Sequence, residues 1–312
     1  MKLKTALLQL LVFVCLPIKI HSQIAITNIA EIAKIKTGTT FFAMKDPASP
    51  KAAAYVDAIK KNWTFSKVEC IKYSDVEKNI APNNSFVTIT ANMTTSTSGA
   101  NTVTHFYLEL WTTDGSFVYD PKKRKHFNQE EKISIATVEL FPDYITQDNP
   151  TTIYKMDYDA SGHLKNWNAG VVGNYVQQLT ILLNKGEARS TKAAFYNALE
   201  LQKLSSETLY IPEYVMIKFV KNSDDESKQY EAKEVFEGLS LNCKLISPEA
   251  LNDKILNSAT PVYYLLLIKT TTEKFITVTN SKTGEIIYSD YASSSSNFKP
   301  SDLKDLEKAV KK

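Results

Sequence analysis

The residues whose spacing comes closest to a metal site lie in one short polar segment. Asp157, Asp159 and Ser161 occur at alternate positions, and Gly162 follows them. In a calcium-binding loop, oxygen ligands at alternate positions face the cation and a glycine permits a sharp turn. The twelfth position of such a loop should hold a bidentate acid, but here it is Asn168. We therefore favour a strand-to-helix turn in which Asp and Ser accept backbone amides, and retain calcium as the second hypothesis.

The three histidines outside the first 22 residues show no spacing typical of a zinc site. His105, His126 and His163 fall in different predicted elements, so a shared zinc ion would require them to converge through folding. The sequence has no GxSxG, HExxH or glycine-rich phosphate-binding motif. The segment Asn168 to Gly173 is better explained as a closely packed helix start, and the pair Glu130-Glu131 as polar loop. We therefore predict no cofactor and no recognisable catalytic centre.

The aromatic residues and cysteines are expected to be structural. Trp63, Trp111 and the pair Tyr263-Tyr264 could stack on sugars, but their helical or alternating spacing favours the core. Cys70 and Cys243 lack a CxxC partner, which excludes a dithiol redox motif. Each cysteine shares its predicted strand face with an apolar residue two positions earlier. We expect two buried free thiols.

The first 22 residues have the composition of a secretory signal peptide. Two lysines precede an apolar run from Ala6 to Leu16, and the small residue Ser22 suits the position before a cleavage site. The run is too short for a permanent transmembrane helix, which needs about 20 apolar residues. A lipoprotein leader acylated at Cys15 is the alternative, which the bulky preceding valine disfavours. We predict cleavage after Ser22 and a mature chain that begins at Gln23.

Removal of this leader changes the charge balance of the chain. The whole sequence carries 37 Lys and Arg residues against 34 Asp and Glu residues, and three of the lysines lie in the leader. The remaining chain is therefore neutral. It lacks the basic footprint of a nucleic-acid-binding protein and the polybasic segment of a membrane anchor. We predict no nucleic-acid partner, and no later stretch is long and apolar enough for a transmembrane helix.

The two halves of the chain share residues at nearly constant separation, which indicates an internal duplication. Five positions recur 173 residues further on, and five others recur 169 residues further on. The first set pairs Ile59, Trp63, Val68, Cys70 and Ser74 with Ala232, Phe236, Leu241, Cys243 and Ser247. The second set pairs Phe106, Gly115, Phe117, Val118 and Tyr119 with Phe275, Gly284, Ile286, Ile287 and Tyr288. The single shift of four residues falls in a loop, where length changes are tolerated.

Each copy is predicted to have the order β-α-β-α-β-β-β-α, an α/β (α+β) fold with a mixed sheet. The second helix should begin with a capping box at Ser74 and Glu77 in the first copy. In the second copy it should begin with the dipeptide Ser247-Pro248. The last two strands should form a hairpin whose turn carries Gly115 or Gly284, the residue type that tolerates a positive φ. This hairpin predicts strands at Ser116 to Tyr119 and at Glu285 to Tyr288.

The first copy is followed by a segment with no counterpart in the second, from about Lys122 to Gln202. It should contain a strand near Ile133 to Phe141, a long helix at Asn168 to Leu183, and a helical stretch at Thr191 to Leu204. The predicted organisation is a signal peptide (1–22), a first α/β domain with its extension (23–185), a helical linker (186–205) and a second α/β domain (206–312).

Two short motifs carry a resemblance to a known family. The run Val68 to Glu77, in which a strand passes directly into a helix, and the hairpin sequence KTGEIIYS within Lys274 to Ser289 resemble the periplasmic domain shared by the curli-secretion-channel subunit and the Tol translocation protein amino terminus. The glycines usual before the second and third strands of that domain are missing. A thioredoxin-like fold is the rival resemblance, because Pro261 directly precedes a strand, a hairpin and a final helix. Without CxxC it would be a non-redox relative, and the extra strand argues against it.

These features lead us to expect an exported binding or assembly protein of the bacterial cell envelope, periplasmic or secreted, rather than an enzyme. Its partner should be another envelope protein or a cell-surface component. The alternative is a hydrolase-type enzyme whose carboxylate site is assembled across the interdomain cleft. A polar cleft with clustered acids would favour the enzyme, and a broad apolar patch would favour the interaction protein.

Overall fold

The computed structural model describes residues 23–95, 102–120, 122, 126–155, 163–191, 195–218, 226, 229–270, 273–293 and 295–312. They form two six-stranded mixed sheets with helices packed on them, which confirms the predicted fold class. The strands of the first sheet are β1 (Ile24–Ile26), β2 (Thr39–Met44), β3 (Lys67–Lys72), β4 (Ser85–Thr95), β5 (Thr102–Thr112) and β6 (Ile133–Leu140). Those of the second are β7 (Phe195–Tyr196), β8 (Leu209–Pro212), β9 (Cys243–Ile246), β10 (Tyr263–Lys269), β11 (Lys274–Asn280) and β12 (Ile286–Ala292).

The α-helices of the described residues flank these sheets. They are α1 (Ile29–Ile35), α2 (Ala53–Asn62), α3 (Tyr144–Asp148), α4 (Ala169–Lys185), α5 (Ala198–Leu201), α6 (Ala232–Phe236), α7 (Pro248–Asn257) and α8 (Pro300–Val310). Within the part of the chain that the structure describes, none of them has the length and apolar character needed to cross a membrane.

The two sheets have the same topology. Their strand orders are β1-β6-β5-β4-β2-β3 and β7-β12-β11-β10-β8-β9, so each strand of the second sheet takes the place of the strand six positions earlier. In both sheets the second strand runs parallel to its two neighbours, and all other pairs are antiparallel. Identical order and direction in all twelve strands is what a duplicated domain should show.

The two cysteines occupy equivalent positions, as predicted. Cys70 in β3 lies beside Phe42 of β2, and Cys243 in β9 lies beside Leu209 of β8. Both thiols are therefore on edge strands, where only one neighbouring strand covers them. This explains why they are half-buried rather than fully buried.

The predicted match between β5 and β11 is wrong by one residue. In the first sheet, the row of directly opposite residues that starts at Cys70 reaches Leu110 in β5. In the second sheet, the corresponding row that starts at Cys243 reaches Asn280 in β11. Phe106 consequently matches Ile276 and not Phe275. Because successive residues of a strand point to opposite faces, a match at Phe275 would have exchanged the buried and the outer face of the sheet.

The predicted strand at Ser116 to Tyr119 is also wrong. Tyr119 lies in the loop after β5, whereas Tyr288 lies within β12, and the strand equivalent to β12 is β6. Phe117 of this loop, with Phe127, is buried in a small apolar cluster on the outer face of the first sheet. The alternation of apolar residues that suggested a strand is therefore satisfied by packing onto the sheet and not by pairing within it.

The segment after Lys122 is therefore no extension. It contains β6 and α4, which correspond to β12 and α8, and the inserted parts are the loop between β5 and β6 and the segment with α3 between β6 and α4. The expected helix at Thr191 to Leu204 instead contains the short strand β7, α5 and a 3-10 turn. The first copy therefore begins with β1 and α1, and the second copy begins with β7 and α5. The predicted order lacks this first strand and helix in both copies.

The capping box predicted at Ser74 and Glu77 does not form. Two 3-10 turns occupy this position, and the Glu77 carboxylate instead accepts the backbone N–H of Phe127 at 3.0 Å. In the second copy the prediction is confirmed, because the Ser247 hydroxyl accepts the N–H of Ala250 at 3.2 Å. The two copies differ here because the loop between β5 and β6, which carries Phe127, is long, whereas only five residues join β11 to β12 in the second copy.

Helix α4 joins the two copies. Asn168 caps it by accepting the N–H of Val171 at 2.9 Å, and the helix packs against α2 on one side and α7 on the other. A Cβ atom on Gly173 would lie 3.3 Å from the Cβ of Ala58, and one on Gly170 would lie 2.8 Å from the Cβ of Ile255. The prediction of a closely packed helix start is confirmed, and one apolar core continues through both copies.

Candidate functional site

A row of polar side chains lies on the outer face of the first sheet. The inner face contributes apolar residues of β5 to the core shared with α2 and α4, so the alternate residues His105, Tyr107 and Glu109 point to the opposite face. Tyr107 lies opposite Thr90 of β4 and opposite Glu139 of β6. Although this is the outer face, only 3% of Glu139 and 8% of Glu109 are exposed.

Glu139 is the centre of this polar cluster. Its carboxylate is 2.9 Å from His105 Nδ1 and also accepts a hydrogen bond from the Tyr107 hydroxyl. The rings of His105 and Tyr107 stack with centroids 5.8 Å apart and planes 2° from parallel. Burial raises the pKa of Glu139; the contacts with His105 and Tyr107 oppose this rise, and the charge of Glu273 adds to it.

The second repeat contributes Glu273 and Tyr291 to the same cluster. The Tyr291 hydroxyl donates to Glu273 Oε1 at 2.7 Å. Burial and this hydrogen bond raise the pKa of Tyr291 to about 12. The pKa of Tyr107 is raised mainly by burial and further by the negative charges of Glu139, Glu273 and Glu109. The cluster is therefore assembled from residues of both copies.

Few cations balance these acids. Lys132 Nζ lies 4.6 Å from the ring centroid of Trp111, and burial lowers its pKa while the charge of Glu109 opposes that effect. Among the described residues, the only basic group within ion-pair distance of Glu139 is His105. The Thr90 hydroxyl next to Tyr107 is buried and finds no hydrogen-bond partner in the described part of the chain. The cluster can hold a cationic or hydroxyl-bearing group, or a proton on Glu139.

The residues of the predicted calcium loop, Asp157, Asp159 and Ser161, lie with Gly162 outside the described residues. Asn168, at the twelfth position, serves as the cap of α4. Lys165, within the loop, makes an ion pair of 2.8 Å with Glu226. Over the residues that are described, no group of three or more His, Cys, Asp or Glu side chains is arranged to hold a metal ion.

Each of the three histidines is paired with a different carboxylate. Besides His105 with Glu139, the structure pairs His126 with Glu77 at 3.3 Å and His163 with Asp143 at 3.0 Å. The Asp143 carboxylate also accepts the N–H of Thr146 at the start of α3, so its contact with His163 tethers the chain on both sides of the undescribed loop. The three histidines therefore belong to three separate places in the fold.

The aromatic candidates are core residues, as predicted. Trp63, Trp111, Tyr263 and Tyr264 are each no more than 2% exposed. The two cysteines are free thiols, and burial raises the pKa of each to about 11. Glu130 and Glu131 lie in an exposed 3-10 turn, which agrees with the predicted polar loop.

A cleft also separates the two copies at the amino ends of α4 and α7. Its volume is about 340 Å³, and its charged lining residues are Lys51, Glu249 and Asp253. Of the two interdomain sites, the Glu139 cluster carries the buried carboxylate with a perturbed pKa, a feature common at functional sites.

The alternation of His105, Tyr107 and Glu109 was visible in the sequence. The approach of Glu139 and Glu273 depends on tertiary structure.

Comparison with protein-family models, with curated proteins and with solved structures finds no match to this chain.

Proposed function

We propose that the chain is an exported binding protein of the bacterial cell envelope and that the polar cluster around Glu139 is its recognition site. The observation that carries the proposal is the buried carboxyl group of Glu139 at the junction of the two repeats. Burying such a group costs free energy, and His105 is the basic group of the described residues that lies within ion-pair distance of it. A partner that supplies a further positive charge offsets this cost.

The charges of the cluster define the chemistry of the ligand. Three carboxylates, Glu109, Glu139 and Glu273, face one lysine and one histidine, so a positively charged group is favoured. A primary ammonium or a guanidinium would bind between Glu139 and Glu273, where it is flanked by tyrosine rings that attract cations. We propose an envelope protein or cell-surface component that presents such a group.

Calorimetric titration of the mature protein with spermidine tests this proposal, because spermidine presents amines without other recognition features. Glu139→Gln should weaken binding about tenfold or more, since it removes one partner of a largely buried charge pair. Glu130→Gln is the matched control, because it makes the same change in an exposed turn. Equal affinity in all three proteins, or no saturable binding to the wild type, would contradict the proposal.

A hydrolase is the second candidate function, and one observation favours it. The raised pKa of Glu139 suits a proton donor, and Glu273 supplies a second carboxylate nearby, the pair that glycoside hydrolysis uses. Incubation with chitin and peptidoglycan oligosaccharides, followed by mass analysis of products, distinguishes the two functions. Turnover abolished by Glu139→Gln and by Glu273→Gln supports the enzyme. Saturable binding without products supports the binding protein.

The same proposal includes export of the chain and a relationship of its repeats to periplasmic domains. The lysines, the apolar run and Ser22 at the amino terminus support secretion. The duplicated α/β sheet is compatible with the resemblance to the curli-channel and Tol periplasmic domains. Mass spectrometry of protein recovered from the periplasm should give a chain that begins at Gln23. An intact leader or an acylated Cys15 would contradict the predicted export route.

A further inference from the structure

A second cavity lies beside α4, and its lining includes no residue of the Glu139 cluster. Its volume is about 200 Å³, and its walls come from the carboxyl half of α4, from Arg189, and from β7 and the β11–β12 hairpin. A water molecule occupies about 30 Å³ in the liquid. The cavity therefore has room for several waters or for one small organic molecule, and both repeats contribute to its lining.

Two buried polar atoms in this cavity have no partner among the described residues. Gln178 is only 5% exposed, yet its Oε1 accepts no hydrogen bond. The Nε–H of Arg189 is likewise buried and donates to no atom. Buried polar atoms in proteins are nearly always hydrogen-bonded. A donor and an acceptor left unsatisfied in the same cavity therefore indicate a guest that supplies the complementary groups.

The backbone of Arg189 holds the residue in place, and no acid of the described residues forms an ion pair with its side chain. Its N–H and C=O both pair with Ile26 of β1 at 2.9 Å, so the residue extends the edge of the first sheet. Burial lowers the pKa of its guanidinium to about 10, and no carboxylate of the described residues opposes that effect. A guanidinium is suited to bidentate contact with a carboxylate.

Other lining residues provide an acidic group and an apolar surface for the ligand. Glu285 lines the same cavity, and its Oε1 accepts a hydrogen bond from the Asn197 side chain at 2.9 Å, which fixes the carboxylate. Phe195 and Ile181 provide an apolar wall between the acidic and basic groups. With Lys185 as a second basic residue of the lining, the cavity presents two cations, one anion, an unsatisfied acceptor and an apolar surface.

We infer that this cavity binds a small apolar α-amino acid or the carboxyl-terminal residue of a peptide. The ligand carboxylate contacts Arg189, its N–H group donates to Gln178 Oε1, and its side chain packs on Phe195. In a free amino acid this nitrogen is an ammonium, which the Glu285 carboxylate attracts. In a peptide end it is an uncharged amide. The proposal is independent of the cationic site around Glu139.

The test uses the mature protein and calorimetric titration with four probes: leucine, leucinamide, acetyl-leucine and the tripeptide Gly-Gly-Leu. Leucine should bind, and leucinamide should not, because it lacks the carboxylate. Binding of acetyl-leucine and Gly-Gly-Leu with the affinity of leucine assigns the site to peptide ends. Their failure, with leucine bound, assigns it to the free amino acid.

Variants locate the binding. Arg189→Gln keeps the backbone pairing with Ile26 and should weaken binding about tenfold or more through loss of a charged hydrogen bond. Gln178→Met is a second variant of similar size, and Glu130→Gln is the control that should bind as the wild type does. Absence of binding by leucine and Gly-Gly-Leu, or unchanged affinity in both cavity variants, would show that the cavity holds only water and would overturn the inference.

Discussion

Replacement of Lys269 by methionine is predicted to stabilise the protein by an amount that depends on pH. Lys269 ends β10 and is 5% exposed. Directly opposite it in the ladder lies Lys274, whose ammonium donates to Asp302 at 2.6 Å and to the carbonyl of Asn297 at 2.9 Å. Burial lowers the pKa of Lys269 from 10.5 to about 7, against the opposing charge of Glu226.

The direction of the pH effect follows from proton linkage. Between pH 7 and pH 10.5 the unfolded chain holds a proton on Lys269 that the folded chain has released, so the free energy of unfolding rises with pH in this window. Below pH 7 the folded state keeps a buried ammonium. The lowered pKa corresponds to a destabilisation of at most about 5 kcal/mol there and about 2 kcal/mol at pH 9. Methionine removes this charge and preserves most of the side-chain volume.

Urea denaturation at pH 6 and pH 9 measures the effect. Lys269→Met should raise the free energy of unfolding at pH 6, and its advantage over the wild type should shrink by about 2 to 3 kcal/mol at pH 9. Lys61→Met, on the exposed side of α2, is the control and should change little at either pH. If Lys269→Met changes the stability of the protein equally at both pH values, the pKa of Lys269 is not lowered by burial, and the prediction is wrong.

Three further outcomes follow from the packing. Lys274→Met should lower the free energy of unfolding at pH 7 by about 3 to 5 kcal/mol in a urea titration, because it leaves a buried acid unpaired; an unchanged midpoint would show that the pair contributes nothing. Gly284→Ala should destabilise more than Gly186→Ala in thermal unfolding, because both glycines have a positive φ but only at Gly284 would the added Cβ clash with residues of α4; equal losses of stability would show that the Cβ at Gly284 meets no such clash. Native alkylation of Cys70 and Cys243 at pH 7.5 should be slow and become fast in urea, since burial raises their pKa; fast native labelling would contradict their packing.

Much of the fold could be predicted from local pattern. The strand predicted near Ile133 to Phe141 is β6, and the Ser247-Pro248 start of α7 follows from local chemistry alone. The failures occur where a distant partner competes. Glu77 does not cap its own helix start because the N–H of Phe127 takes its carboxylate. The strands β1 and β7 have three and two residues, too few for any periodicity to appear.

The candidate site could be predicted only in part. His105, Tyr107 and Glu109 alternate with apolar residues, so their common face follows from the sequence. Glu139 reaches them only because β6 pairs with β5 across a loop whose apolar residues had suggested a different strand. Glu273 comes from the other repeat, and no pattern within one copy indicates that approach.

The most direct test of the recognition site is the carboxyl ¹³C NMR titration of Glu139 in the mature protein, with and without spermidine. We expect a pKa above 4.5 for Glu139 in the free protein, because burial and the charge of Glu273 disfavour the charged form. This pKa should fall when spermidine binds, since a nearby positive charge stabilises the carboxylate. An ordinary pKa in the free protein, or one that spermidine leaves unchanged, would contradict the assignment of Glu139 as the centre of recognition.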